Sequence, residues 1–186
     1  MKNVVASLLF FTVLFPLLSF NKINCSLEEK IINYIKKDYQ QNGVNIESLK
    51  FIIPDNRIRY SLTAITPDVM TKKYEKRYGA NISRMIQENK ALFTAVYDSL
   101  EKLNTRLNSQ CQTNQSVFLP TKLDDPFYYI FFSEKCENHL YVEVASSYNV
   151  ISQADTFNIH GRAQVYLFEI EGQNIKTVYN SFIDYE

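Results

Sequence analysis

The chain has 186 residues, 20 basic and 20 acidic side chains, two histidines, three cysteines and only four glycines. A balanced charge speaks against a nucleic-acid partner, and the isolated Gly43, Gly79, Gly161 and Gly172 cannot build a Gly-rich loop that cradles phosphates. With two lone histidines and no CxxC, HxxxH or HExxH spacing the sequence offers no metal cage either, so no metal and no cofactor are expected.

The opening MKNVVASLLFFTVLFPLLSF carries one charge, Lys2, and then an apolar run from Val4 to Phe20 that Pro16 interrupts near its end. A charged start, a short apolar stretch and a helix breaker ahead of small residues are the parts of a secretory signal peptide, and residues 1–25 are read as one. A spanning helix would need about 20 apolar residues. The cut falls after Ser19, Cys25 or Ser26, and the small-residue rule does not choose among them. A lipoprotein would keep Cys25 as an acylated first residue, but Lys22, Ile23 and Asn24 stand where that route wants a leucine and a small residue. Membrane contact is expected only through the leader or, on the lipoprotein reading, through Cys25. The mature chain is expected to be secreted or periplasmic.

Residues 26–186 are read as a single α+β domain, long enough for a core of ordinary size. Charge is uneven along it: residues 26–110 hold 14 basic and 10 acidic side chains, residues 111–186 hold 4 and 10. Once Cys25 leaves with the signal, Cys111 and Cys136 are the remaining pair, and an oxidising compartment predicts a disulfide between them.

Ser26 to Gln41 places Leu27, Ile31, Ile32 and Ile35 at helical spacing, with Ser26 as N-cap, Glu29 closing a capping box and Gly43 as the stop. Alternation at Leu49, Phe51 and Ile53, a turn at Pro54-Asp55-Asn56, and renewed alternation at Ile58, Tyr60 and Leu62 predict a β-hairpin. Thr66-Pro67 reads as the start of a short helix that runs to Tyr78. A long amphipathic helix follows at about 80–109, opened by Asn81, with Ile82, Met85, Ile86, Phe93, Val96, Leu100, Leu103 and Leu107 on one face.

Beyond Cys111 the period changes to two. After one short strand at 117–119, strands are predicted at 127–133, 140–146, 162–171 and 174–184, the last two joined by a Glu171-Gly172-Gln173-Asn174 turn. Residues 147–160 form a longer loop with one edge segment. The run Phe127 to Phe132 is apolar on both faces, so it is expected inside the sheet, covered by the long helix on one side and shielded on the other. The predicted fold is a long amphipathic helix packed on a curved antiparallel β-meander, preceded by the N-terminal helix and the hairpin. This element order resembles the outline of cystatin-like and NTF2-like domains, a likeness of order alone that carries no function.

Several side chains merit a chemical reading. His139 shares a turn with Cys136 and Glu137, the types of a thiol triad, but an oxidised Cys136 and a solvated His139 are the stronger reading. His160 and Asp155 are loop polar groups, and Asp124-Asp125 beside Pro126 is a turn cap. The stretch Lys72-Lys73-Tyr74-Glu75-Lys76-Arg77-Tyr78 is read first as a solvated helix face and otherwise as a dock for an anionic lipid surface or an acidic partner. Asn81-Ile82-Ser83 and Asn114-Gln115-Ser116 match the glycosylation sequon. The sheet half is rich in tyrosine, and Tyr128, Tyr141, Tyr166 and Tyr179 are the candidate ligand or partner contacts, because tyrosine joins a large apolar body to a polar tip.

The leading expectation is a non-enzymatic binding protein for a small ligand or a protein partner, for instance a toxin that it neutralises. A rival is a small hydrolase or lyase built on Glu143, Glu169 and Glu171, which needs two carboxylates about 5 to 10 Å apart. A third is a structural envelope component held at the membrane.

Overall fold

The computed structural model describes residues 26–45, 50–54, 57–78, 84, 88–111, 127–147, 150–153, 156–159 and 161–185. The leader with Cys25, both sequon asparagines, the strand expected at 117–119, Asp124-Asp125, Asp155 and His160 lie outside them.

Helix α1 (Leu27–Gln41) forms for the reasons its sequence suggests. Ser26 Oγ accepts the Glu29 N–H at 3.2 Å and the Glu29 carboxylate accepts the Ser26 N–H at 2.8 Å, which satisfies two donors that a helix start leaves open. At the other end Gly43 takes φ +81°, and the N–H groups of Gly43 and Val44 turn back to the carbonyls of Gln40 and Tyr39. This αL ending needs a residue without a Cβ penalty.

The expected hairpin does not form. Strands β1 (Lys50–Ile52) and β2 (Arg57–Ile58) both run parallel to β3 (Phe127–Ser133), with Phe51 opposite Tyr128 and Arg57 opposite Phe132. They are two pieces of one edge strand. Between Ile52 and Arg57 the edge advances five residues while β3 advances three, so two residues bulge out. Buried Pro54 lies in that interruption; without an N–H it cannot continue a ladder, and it breaks the strand instead of reversing it.

Tyr60 and Leu62 leave the strand as well, because α3 (Lys90–Gln110) replaces the ladder with side chains. Asn108 accepts the Tyr60 N–H at 2.8 Å and donates to its carbonyl at 2.9 Å, and Asn104 accepts the Leu62 N–H at 3.3 Å. Leu62–Ile65 is a 3-10 turn that runs directly into α2 (Thr66–Tyr78). Thr66 is therefore not an N-cap but closes the 3-10 turn, and its hydroxyl donates to the Thr63 carbonyl at 2.6 Å.

The long helix is shorter than its periodicity predicts. Arg84 and Glu88 are helical, but Asn89 has φ −130° and ψ 55°, and its carbonyl accepts from Leu92 and Phe93 as a new helix begins. Asparagine leaves helical geometry readily at such a start, so the absence of Gly and Pro was not enough to keep the segment continuous.

The main sheet has the order β1-β3-β4-β7-β8, with β2 also on β3. Strands β3, β4 (His139–Ser146), β7 (Gly161–Glu171) and β8 (Asn174–Tyr185) are the expected antiparallel meander, and the parallel edge makes the whole sheet mixed. The β7–β8 turn is the two-residue Gly172-Gln173 loop, with Gly172 at φ +63°. The long loop holds two strands, β5 (Val150–Gln153) and β6 (Thr156–Ile159), paired as a separate antiparallel ribbon.

Both faces of the sheet are buried, against different helices. On one face Phe127, Tyr129, Phe131, Tyr141, Val165 and Leu167 pack with Val96, Leu100 and Leu107 of α3 and with Leu62, Ile65 and Met70. On the other, Ile130, Phe132, Leu140, Val142, Tyr166 and Phe168 pack with Ile31, Ile35 and Tyr39 of α1. The architecture is α+β, helix over sheet over helix.

The outer edge of β8 is covered where α2 passes it. Asp68 accepts the Asn180 N–H at 2.8 Å, Lys72 donates to the Val178 carbonyl, and the two side chains pair at 2.7 Å. One carboxylate and one ammonium take the place of a neighbouring strand, which protects an edge from pairing with another chain. Cys111 at the end of α3 and Cys136 after β3 are at disulfide distance, with S–S 2.08 Å and Cα–Cα 6.0 Å.

Two consequences for stability follow. Closing a loop over a sequence separation of 25 contributes about 3 kcal/mol in the chain-entropy model, so Cys111→Ser/Cys136→Ser should lower the unfolding free energy by that order in urea titrations. Tyr60 hydroxyl lies at 2.7 Å from the Glu134 carbonyl, 2.8 Å from that of His139 and 3.2 Å from the Cys136 N–H, next to the bridge. Tyr60→Phe removes these bonds, while the Cys136 N–H keeps the His139 carbonyl and the Glu134 carbonyl keeps the Ser133 hydroxyl, so it should cost about 0.5–1.5 kcal/mol, read in the same titration.

Candidate functional site

The candidate site follows from a mismatch of lengths. Helix α1 has 15 residues and spans about 22 Å, whereas β7 has 11 residues and spans about 36 Å. Among the described residues no second helix covers the far end of the α1 face. The change is visible along β7, whose residues on this face run from Arg162 and Gln164 to Tyr166, Phe168 and Ile170, from polar to apolar.

At that end the C-terminal turn of α1 and the sheet enclose a groove of about 570 Å³. Its floor includes Val144, Gln164 and Phe182, neighbours across β4, β7 and β8, and its walls include Asp38 and Tyr39 of α1 with Tyr128 of β3. Asp38 Oδ2 accepts from Gln164 Nε2 at 3.0 Å and from the Tyr166 hydroxyl at 2.8 Å, which ties helix to sheet at the groove's inner end. At the outer end Arg162 donates to both oxygens of Asp184, at 2.8 and 3.3 Å, and its guanidinium lies 5.5 Å from the Phe182 ring centre. Phe182 is 56% exposed, the most exposed large apolar side chain among the described residues. The groove lies at the end of the sheet where the chain leaves at Ser146 for β5–β6 and returns at Gly161.

The four tyrosines named from sequence do not share a face. Tyr128 is half-buried and lines the groove; Tyr166, on the same face, is fully buried and meets it only through Asp38. Tyr141 is fully buried on the opposite face, and Tyr179 is half-buried there with its ring 5.4 Å from Lys72 Nζ. Lys72 is thereby drawn from the basic stretch into the β8 edge.

Glu143 is the one buried acid among the described residues. It projects from β4 toward α3 and is held by two hydroxyls, Tyr141 at 2.7 Å and Tyr185 at 2.8 Å. Burial holds its carboxyl above the ordinary range, and the two hydrogen bonds oppose that rise without cancelling it. The same burial, with the nearby carboxylate charge, raises the Tyr141 and Tyr185 hydroxyls. Glu169 pairs with His139 in the β4–β7 register, four residues from Glu143 along β4, which separates the two by about 13 Å. Glu171 is exposed at the hairpin turn. Glu143 is therefore out of pairing reach of Glu169.

His139 is not the solvated turn residue its position suggests. It is half-buried, and its Nδ1 is buried with no hydrogen-bond partner among the described residues. Cys136 beside it is in the disulfide. Among the described residues no three His, Cys, Asp or Glu side chains are grouped to hold a metal ion, and no helix is long and apolar enough to cross a membrane.

The buried carboxylate yields a pH prediction. A carboxyl whose folded pKa lies above the usual 4.5 keeps its proton in the native state after the unfolded chain has lost it, so ionisation counts against folding. The penalty is absent below that usual value and grows as pH rises through the folded pKa. Glu143→Gln should therefore gain stability relative to wild type as pH is raised from 4.5; urea unfolding at intervals up to neutral pH checks this, and a constant difference would contradict it.

Compared with models of known protein families, with curated proteins and with solved structures, the chain returned no match.

Proposed function

We propose that this chain is a non-enzymatic exported binding protein that holds its ligand in the groove beyond the end of α1. The observation that carries this reading is the groove itself, where Phe182 and Tyr128 are presented to solvent between two fixed charged groups. An exposed phenylalanine has no role in either core, and small-ligand sites combine apolar walls with a few oriented polar groups in volumes of about 300–1,000 Å³. The sealing of Glu143 favours binding over acid–base chemistry, since a general acid must reach its substrate.

Export is part of the proposal. It is supported by the apolar leader and by the cysteine pair at bonding distance, and it agrees with the absence of a membrane-spanning helix among the described residues. The ligand is proposed to be small, because a groove of about 570 Å³ suits a compact molecule.

The groove is tested with a library of small organic fragments followed by ¹⁵N–¹H correlation spectra. Hits should concentrate on Asp38, Val144, Gln164 and Phe182. Phe182→Ser should change stability by less than about 0.5 kcal/mol and weaken those hits; fragments that scatter over the surface, or that bind the variant equally well, would overturn the reading.

A further inference from the structure

We propose that the groove takes a small organic cation, a primary ammonium group on an apolar stem, with Asp38 as its counter-charge. This rests on the groove being the binding site and concerns the chemistry of what it holds.

The first argument is a balance of donors and acceptors. Gln164 Nε2 donates to Asp38 Oδ2 at 3.0 Å, and Asn42 Nδ2 donates to the Asp38 backbone carbonyl at 2.9 Å. A carboxylate and a carbonyl can only accept, so both amides have their NH₂ groups turned to Asp38 and their oxygens left over. The Tyr166 hydroxyl is likewise used on Asp38, and the Arg162 guanidinium on Asp184. Around Asp38 three acceptors are left to meet a ligand among the described residues, its own Oδ1, Gln164 Oε1 and Asn42 Oδ1, beside the second N–H of each amide. A sugar or alcohol brings acceptors as well as donors; an ammonium brings three donors and no acceptor.

Charge points the same way. Arg162 is matched by Asp184, which leaves Asp38 as the uncompensated charge of the groove. It stands in the last turn of α1, where the helix dipole is negative and no basic residue is present. Lys36, two residues back, has its ammonium 5.8 Å from the Phe51 ring centre instead.

The apolar part of the ligand is accounted for by the rings. Tyr39 and Tyr128 meet edge to face at 5.5 Å, and with Val144 they line the groove beside Asp38. Aromatic faces attract cations and also shelter a hydrocarbon stem.

The test uses three probes of equal length, pentan-1-amine, pentan-1-ol and pentanoate, titrated at neutral pH into the ¹⁵N-labelled protein. The amine should shift the amide signals of Asp38, Val144 and Gln164 and bind about tenfold more tightly than the alcohol, the order expected for hydrogen bonds to a charged group with a cation–π contact. Asp38→Asn should reduce the amine to the alcohol's affinity. Tyr128→Leu, which keeps apolar volume, should weaken the amine severalfold and leave the alcohol unchanged; a dispersed spectrum shows that each variant is folded. Equal binding of amine and alcohol in the groove, or tighter binding of pentanoate, would overturn the ammonium assignment and leave the groove as a binding site. If none of the three moves those signals, both readings fall. Binding of N-acetyl-lysine N-methylamide about tenfold more tightly than pentan-1-amine would overturn the small-amine source in favour of a lysine side chain of a protein partner.

Discussion

The structure depends on a sheet that is apolar on both faces. Tyr129 and Phe131 point one way from β3, Ile130 and Phe132 the other, and all four are buried. Such a strand cannot lie at a water-facing surface without exposing several large side chains, each worth about 1.5–3 kcal/mol of burial. Two helical layers are therefore required. Helix α3, with α2 and the 3-10 turn, covers one face broadly; α1, the one helix on the other face among the described residues, is shorter than the strands beneath it. The groove is the remainder of that coverage, and the residues there have become polar or amphipathic in step with it.

Polar groups in this fold act mainly as substitutes for missing ladder partners. Asn104 and Asn108 serve the backbone of an irregular segment, Asp68 and Lys72 serve the edge of β8, and the Tyr60 hydroxyl serves the turn beside the disulfide. Each meets the requirement that a buried backbone donor or acceptor be paired. Asp38 differs in kind. It accepts from two side chains that already belong to the sheet, so it fixes the position of α1 while Asp38, Gln164 and Asn42 line the groove. That contrast is why the groove, and not the equally polar Glu143 cluster, carries the functional reading. Glu143 has both oxygens engaged and 6% of its surface exposed, which makes it a fixed part of the core.

Much of this was present in the sequence because it is local. The capping box at Ser26 and Glu29, the glycine stop at Gly43, four strands within a residue of their observed ends and the Gly172-Gln173 turn all follow from the chemistry of a few neighbouring residues. The cysteine pair follows from counting. What failed also has a local reading: Pro54 looked like a turn because a strand break and a reversal share the same residues, and only the presence of β3 as a parallel partner distinguishes them.

The sequence by itself determined which residues lie together on each helix and each strand, since periods of 3.6 and 2 are properties of the chain. It did not determine which strand faces match, because that needs the register between strands. Tyr128 and Tyr166 fall on one side, Tyr141 and Tyr179 on the other, only once β3, β4, β7 and β8 are aligned. The groove is further still from the sequence, for it exists through the unequal lengths of α1 and the strands beneath it, and the acceptors around Asp38 face it through contacts spanning 126 and 128 residues. Local free energy chooses the elements; the burial of two faces at once decides where they meet and what is left uncovered.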